Sequence, residues 1–233
     1  MRGAFLVGAL KKFYQELGPN YFDAIFATSV GVFEQAFFAS GQIFTMENTW
    51  REYVNGRKLI NPLNPIKGRA ILDLDYLTDL FQSEKSMLDV KAMKDSHPKL
   101  ITFITKYDTR EPIAVDLKTE NVFEVMKATC ALPLIYPRKV MIEGSRYVDS
   151  WMASQEKFKE VLREKLKDYD EIVAVVTYTH YDKVLGDIKK ILRPKKMPLW
   201  GAFDTNKKRL IQTIEQGEKD ATEFLVAHQI KMV

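Results

Sequence analysis

The chain has 233 residues, 46% hydrophobic and 28% charged, which suits one globular domain with a sizeable core. Its net charge of +4 is too small to indicate a nucleic-acid partner, and its single cysteine, Cys130, excludes an internal disulfide framework and a cysteine-based metal site. No apolar run approaches the roughly 20 residues that span a bilayer, and a lone cysteine fits a reducing, cytoplasmic setting.

In chain order, Ala4 to Leu17 reads as a helix closed by Gly18-Pro19. Its apolar start resembles a short signal segment, but it lacks a cationic lead and runs on into the amphipathic pattern of Phe13, Tyr14 and Leu17, so we read it as folded. Phe22 to Phe26 is predicted as a buried strand, and Val30 to Ser40 as a Phe- and Ala-rich helix capped by Gly41. Thr45 to Val54 has a helix start, residues 55–71 read as an irregular excursion rich in Asn, Gly and Pro, and short helices follow over Asp75 to Phe81 and Met87 to Lys94. Leu100 to Thr105 and Glu111 to Leu117 are predicted strands, joined by turn residues at 108–111. Val122 to Cys130 is a helix stopped near Pro133. Lys139 to Ile142 and Arg146 to Val148 flank the hairpin signal Glu143-Gly144-Ser145.

Ser154 to Leu166 is amphipathic, with Phe158, Val161, Leu162 and Leu166 on one face. Glu171 to Tyr178 is almost continuously apolar, the pattern of a central parallel strand. Residues 183–201 are basic and broken by proline, and Thr205 to Gln229 closes the chain as a long helix. No repeat or linker divides residues 1–233. The alternation predicts a single α/β domain with three layers, α/β/α, around a mostly parallel central sheet.

Chemistry gathers at the carboxyl ends of the strands in such sheets. Ala27-Thr28-Ser29-Val30-Gly31 is a near match to the G-x-S-x-G corner that lifts a serine Oγ out of the backbone between strand and helix, with small residues where the two backbones crowd. A serine in that place is either a helix cap or a nucleophile, and a nucleophile needs a base. His97 lies in a polar loop and His228 near the end of the last helix, whereas His180 follows a predicted strand. The order Ser29, Asp149, His180 fits a Ser-His-Asp triad; the alternative is Asp149 acting on Ser29 directly.

Further segments bear on this choice. Met1-Arg2-Gly3-Ala4-Phe5 is similar to the end of a GGGxRG loop, and Ala27 to Gly31 to a GTSAG elbow. Phe38-Ala39-Ser40-Gly41-Gln42, Ile71 to Leu77, Ala128 to Pro137 and Tyr147-Val148-Asp149-Ser150 follow in order. Together they resemble the patatin-like phospholipases, especially the bacterial members, over most of the chain. The resemblance implies a lipid acyl hydrolase with a Ser-Asp dyad: Ser29 as nucleophile, Asp149 as base, no catalytic histidine and no metal or organic cofactor. It also implies that Arg2, Gly3, Val30 and Gly31 form the oxyanion and elbow region, and that the partner is a lipid or fatty-acyl ester.

Two departures stand out. The family's Asp-Gly-Gly is Asp149-Ser150-Trp151 here, placing a bulky residue beside the base. The resemblance also begins inside the Gly-rich loop, with its leading glycines and the strand before them not in the sequence. That leaves two expectations: a start internal to a longer reading frame, or a catalytically impaired relative that binds lipid or a protein. Cys130 reads as a buried thiol, and Phe33, Phe37 and Phe38 as core or as the wall of an acyl pocket. The basic run Lys189 to Lys196, followed by Leu199-Trp200, reads as a solvated face, with peripheral contact to anionic lipid as its second reading.

Overall fold

Strand β2 (Lys99–Lys106) organises the protein, because three other strands pair with it in the computed structural model, which describes residues 1–178, 182–186 and 188–230. Strand β1 (Ala24–Thr28) runs parallel to it, from Ala24 opposite Lys99 to Thr28 opposite Phe103. Strands β3 (Pro112–Asp116) and β5 (Ser145–Asp149) are antiparallel to it, and β4 (Val140–Ile142) completes the sheet beyond β5. The turn between β4 and β5 places Glu143 and Gly144 at φ 48° and 78°, the left-handed geometry that matches strand twist in a tight hairpin.

Helices cover both faces. Leu100 and Ile104 of β2 face the main core, against α2 (Gly31–Ala39) and α6 (Val122–Cys130). Phe103, one step out of phase, faces the opposite layer, where Phe158 of α7 (Gln155–Leu166) meets it edge-on at 5.2 Å. Outside α2 lie α1 (Gly3–Leu17) and the long α9 (Lys207–Ala227), whose backbones touch. A Cβ on Gly8 would sit 1.9 Å from Ile214 O, and one on Gly217 would sit 2.2 Å from Phe5 O, so both glycines are needed for the approach. Shorter helices α3 (Ile43–Asn48), α4 (Leu74–Phe81), α5 (Val90–Asp95) and α8 (Asp182–Leu185) fill the remaining periphery. The first of these continues as a π-type turn over Thr49–Tyr53 that carries Trp50.

The three-layer arrangement expected from the sequence is present, but the five-stranded sheet is mixed rather than mostly parallel. Only its β1–β2 pair is parallel: a short turn after β2 reverses the chain into β3, and β5, reached through α6 and the β4–β5 hairpin, also runs antiparallel to β2. The apolar segment Glu171 to Tyr178 is not a central strand of this sheet. It contributes a three-residue strand, β6 (Val173–Val175), paired in parallel with β7 (Lys190–Leu192) in a separate two-stranded sheet.

Candidate active site

Ser29 follows β1 directly and precedes α2 by one residue, and its φ is +49°. A non-glycine residue in left-handed conformation costs about 1–2 kcal/mol, so the surroundings must hold it there. They do so through a side chain the sequence reading gave no role. Thr129 Oγ1, on α6, accepts the Ser29 amide at 2.9 Å and donates to Phe103 O at 2.7 Å, tying the corner to β2. Thr102 Oγ1 donates to Ala27 O at 3.1 Å from the same side. The only signal for Thr129 was its place in the Ala128 to Pro137 segment.

Gly31 corrects one expectation. A Cβ there would lie 3.6 Å from Leu6 and 3.8 Å from Ala27 Cβ, which is ordinary contact. The crowding expected at this glycine is absent, and the strain of the corner falls on Ser29 instead.

Asp149 ends β5, opposite Ile104 of β2, and is buried. Its backbone amide donates to Ala131 O at 3.0 Å, and its Oδ1 accepts the Trp151 amide at 2.8 Å. Burial pushes its pKa up to about 6 against an ordinary 3.8, partly offset by the Trp151 amide and by hydrogen bonding with the Ser29 and Ser150 side chains. Ser29 and Asp149 line the same cavity, and the Ser29 side chain is among the groups that oppose the rise of the Asp149 pKa. Cys130 adjoins them: burial and the Asp149 carboxylate raise its thiol well above the usual range, while hydrogen bonding with Ser29 opposes that shift.

Trp151 does not close the site. Its amide caps Asp149 while its side chain is 67% exposed, at the rim of the cavity that Ser29 and Asp149 line. That cavity measures about 650 Å³ and is largely apolar, with Phe33 and Phe38 of α2 in its wall; Phe37 packs elsewhere in the core.

The helix α1 starts against the same corner. A Cβ on Gly3 would meet Val30 Cγ2 and Trp50 Cη2 at 2.9 Å, so only glycine lets the two helix N-termini come this close. Each helix leaves its first amides without an intrahelical partner and carries positive charge at its N-terminus. Arg2 points toward the segment after β6. Its Nη1 donates to Thr177 O at 2.9 Å and its guanidinium lies 3.9 Å over the Tyr178 ring. One turn into α2, the buried Glu34 accepts Trp50 Nε1 at 2.8 Å, and burial pushes its pKa up to about 8. The sequence reading had singled out neither Glu34 nor Trp50.

Of the histidines, His97 is exposed, and His228 Nδ1 contacts Phe224 O on α9; neither lines the cavity. His180 lies outside the described residues. In the basic run, Lys190 pairs with Glu171 and Lys195 with Glu223, while Trp200 is 86% exposed beneath the Arg209 guanidinium, 3.9 Å away. Among the described residues no helix is long and apolar enough to cross a membrane.

A strained serine at a strand–helix corner, a buried carboxylate beside it and an apolar cavity are what an acyl hydrolase of lipids requires, and the chain belongs to the patatin-like phospholipase family, whose profile matches residues 1–172. It is 26% identical over 182 residues to the Uncharacterized protein YjjU of Escherichia coli (strain K12), an alignment that covers 77% of this chain and 51% of that protein. The chain thus spans about half the length of the curated relative it matches. Among solved structures it is similar to VipD from Legionella pneumophila, with a TM-score of 0.54 at 10% identity over 97% of this chain and 65% of that one. That likeness is one of fold.

Proposed function

We propose that the protein hydrolyses fatty-acyl esters of lipids through a Ser29–Asp149 dyad. The observation that carries this reading is the left-handed Ser29 at the corner, held by Thr129, with the buried Asp149 carboxyl lining the same cavity. Asp149 takes the proton of Ser29 Oγ as the oxygen attacks the ester carbonyl. The tetrahedral oxyanion collapses to an acyl-enzyme, and the departing alkoxide leaves with the proton that Asp149 returns. Water deprotonated by Asp149 then releases the fatty acid and restores Ser29. The Val30 and Gly31 amides, with Gly3 at the adjoining helix start, are the donors proposed for the oxyanion, helped by both helix dipoles; one such donor contributes about 3–4 kcal/mol in comparable sites. Arg2 supports this region from its anchor on Thr177.

The acyl chain is assigned to the apolar cavity beside Phe33 and Phe38. Trp151 and Phe203, both exposed and both lining that cavity, with Trp200 close by in sequence, are assigned to peripheral contact with a lipid surface. The test is ester hydrolysis by Ser29→Ala, on short p-nitrophenyl esters and on dispersed phospholipid. The proposal expects loss of turnover with an unchanged circular dichroism spectrum; retained turnover refutes it.

A second reading, a catalytically impaired binding protein, draws on the Ser150-Trp151 substitution next to the base. It predicts that the wild-type protein itself lacks turnover on both ester classes while still sedimenting with phospholipid vesicles.

A further inference from the structure

The end of β2 carries a cluster that the acyl-hydrolase reading leaves unused. Tyr107 follows the strand directly, and an arginine from each side closes on its ring. The Arg146 guanidinium, on β5, stacks 3.6 Å from the ring centre, and that of Arg110, in the turn to β3, lies 5.0 Å from it. The register explains the meeting. Thr105 stands opposite Val148 on β5 and Pro112 on β3, and the Tyr107 amide donates to Arg146 O at 2.9 Å. Opposed residues of antiparallel strands share a face, and so do residues two apart on one strand. Thr105, Tyr107, Arg110 and Arg146 therefore share one face, the α7 side that Phe103 also occupies.

Two cations this close repel, and a charge taken from water needs a partner. Among the described residues neither guanidinium has one. Arg110 Nη1 and Arg146 Nε are buried without a hydrogen-bond partner, and one step inward the buried Thr105 Oγ1 lacks one too. The neighbouring acid, Glu111, pairs with Lys106 instead, at 3.9 Å. Three of the six buried, unpartnered side-chain atoms among the described residues thus lie in one patch. Such atoms cost stability unless water or a ligand meets them.

The backbone adds to that cost. Arg110 adopts a φ of +57°, in a turn closed by its own amide on Lys106 O at 3.0 Å and by the Lys106 amide on Glu111 O at 2.9 Å. Glycine suits this conformation and arginine does not, and strain of this kind gathers where a side chain is needed for function. The active-site cavity does not account for it, because none of the four residues lines that cavity. Asp149 stands opposite Ile104, so Tyr107 lies three residues, about 10 Å, further along β2.

We propose that Arg110 and Arg146 form a phosphate-binding site, their two guanidinium forks closing on the oxygens of one phosphate group beside the Tyr107 ring. A carboxylate offers two oxygens and one charge, enough for one fork. A phosphomonoester offers three terminal oxygens and about two negative charges at neutral pH, which match both forks and remove the repulsion between them. The phosphate belongs to a lipid headgroup or to a soluble phosphoester. Met141 of β4, opposite Arg146 and 47% exposed, sets an apolar side chain beside the arginine, as a lipid surface requires. The inference does not depend on the chemistry of Ser29.

The test is titration of the whole wild-type chain with inorganic phosphate at constant ionic strength, followed by proton–nitrogen correlation spectra of the arginine Nε–H groups. The expected result is a saturable shift of Arg110 and Arg146 that chloride does not reproduce. Arg110→Gly is expected to weaken binding about tenfold or more with an unchanged or higher thermal midpoint, since glycine relieves the left-handed strain. Arg146→Lys keeps the charge but loses the fork, and is expected to weaken binding about threefold or more. No saturable shift, the same shift from chloride, or undiminished binding by either variant would overturn the proposal. Vesicles of ether-linked phosphatidylcholine and phosphatidate in equal parts, which hold no ester to cut, distinguish the sources. Sedimentation of the wild type with them that Arg110→Gly abolishes assigns the site to a lipid headgroup. Its absence, or its persistence in that variant, assigns the phosphate site to a soluble phosphoester.

Discussion

Ser29 and Asp149 each hold a state that costs stability, and each cost makes a prediction. Ser29 adopts a φ of +49°, which glycine tolerates and alanine does not. Ser29→Gly and Ser29→Ala are both expected to be inactive, but the glycine variant should be the more stable by about 1 kcal/mol in urea titration, reversing the usual order of these residues. Equal stabilities would mean that the corner is not strained in solution.

Asp149 has a folded pKa raised to about 6 from 3.8, so the native state binds its proton more tightly than the unfolded chain. Stability from this group is full below about pH 4 and is lost as pH rises through about 6, with a total near 3 kcal/mol at about 1.4 kcal/mol per unit. Asp149→Asn is therefore expected to be inactive and yet more stable than wild type at pH 8, with the advantage shrinking toward pH 4. As a base Asp149 must be ionised, so kcat/KM should fall below about pH 6 along a single-proton limb. Both residues were legible in the sequence, because serine between small residues after an apolar run, and aspartate at a strand end, are local patterns. Thr129 and Glu34 were not, since an inward threonine or glutamate on a helix is marked only by what it touches across the fold.

Among the elements, the closest contact is between α1 and α9. With a backbone oxygen about 2 Å from each hypothetical Cβ, Gly8→Ala and Gly217→Ala must part the helices. Each is expected to cost about 3 kcal/mol or more, the upper range for overpacking, read as a lowered urea midpoint. The helices themselves were readable from their periodicity and their ends. Asp73, Asp89, Ser154 and Asn206 each accept an amide at a helix start, and Gly18 and Gly41 follow helix ends at positive φ. The strands were found in nearly the right places, but their pairing was not, because an apolar run reports burial and says nothing of its neighbour. Residues 171 to 178 show this: the composition is that of a central strand, whereas only Val173–Val175 pair, and only with β7.

Across the whole molecule the protein is built as a five-stranded sheet between helical layers, with the β6–β7 pair held apart by the cleft that also contains the candidate site. Two-stranded sheets are marginal by themselves. In hydrogen exchange, amides of Val173–Val175 are expected to exchange at least about tenfold faster than those of Phe103–Thr105, which are bracketed by strands on both sides. Similar rates would show that β6 is as firmly held as the main sheet. The α/β class and the family were legible from six short segments in order, while the division into two sheets depended on the partner of each edge, which no local pattern encodes.

The central claim is that Ser29 is an activated nucleophile, and covalent labelling tests it most directly. Wild-type protein treated with a fluorophosphonate at pH 8, then digested and sequenced by mass spectrometry, is predicted to carry one adduct, on Ser29, with labelling slowed at pH 5 as Asp149 takes up its proton and abolished in Asp149→Asn. An unlabelled Ser29 in folded wild-type protein, or labelling that Asp149→Asn leaves unchanged, would contradict the account.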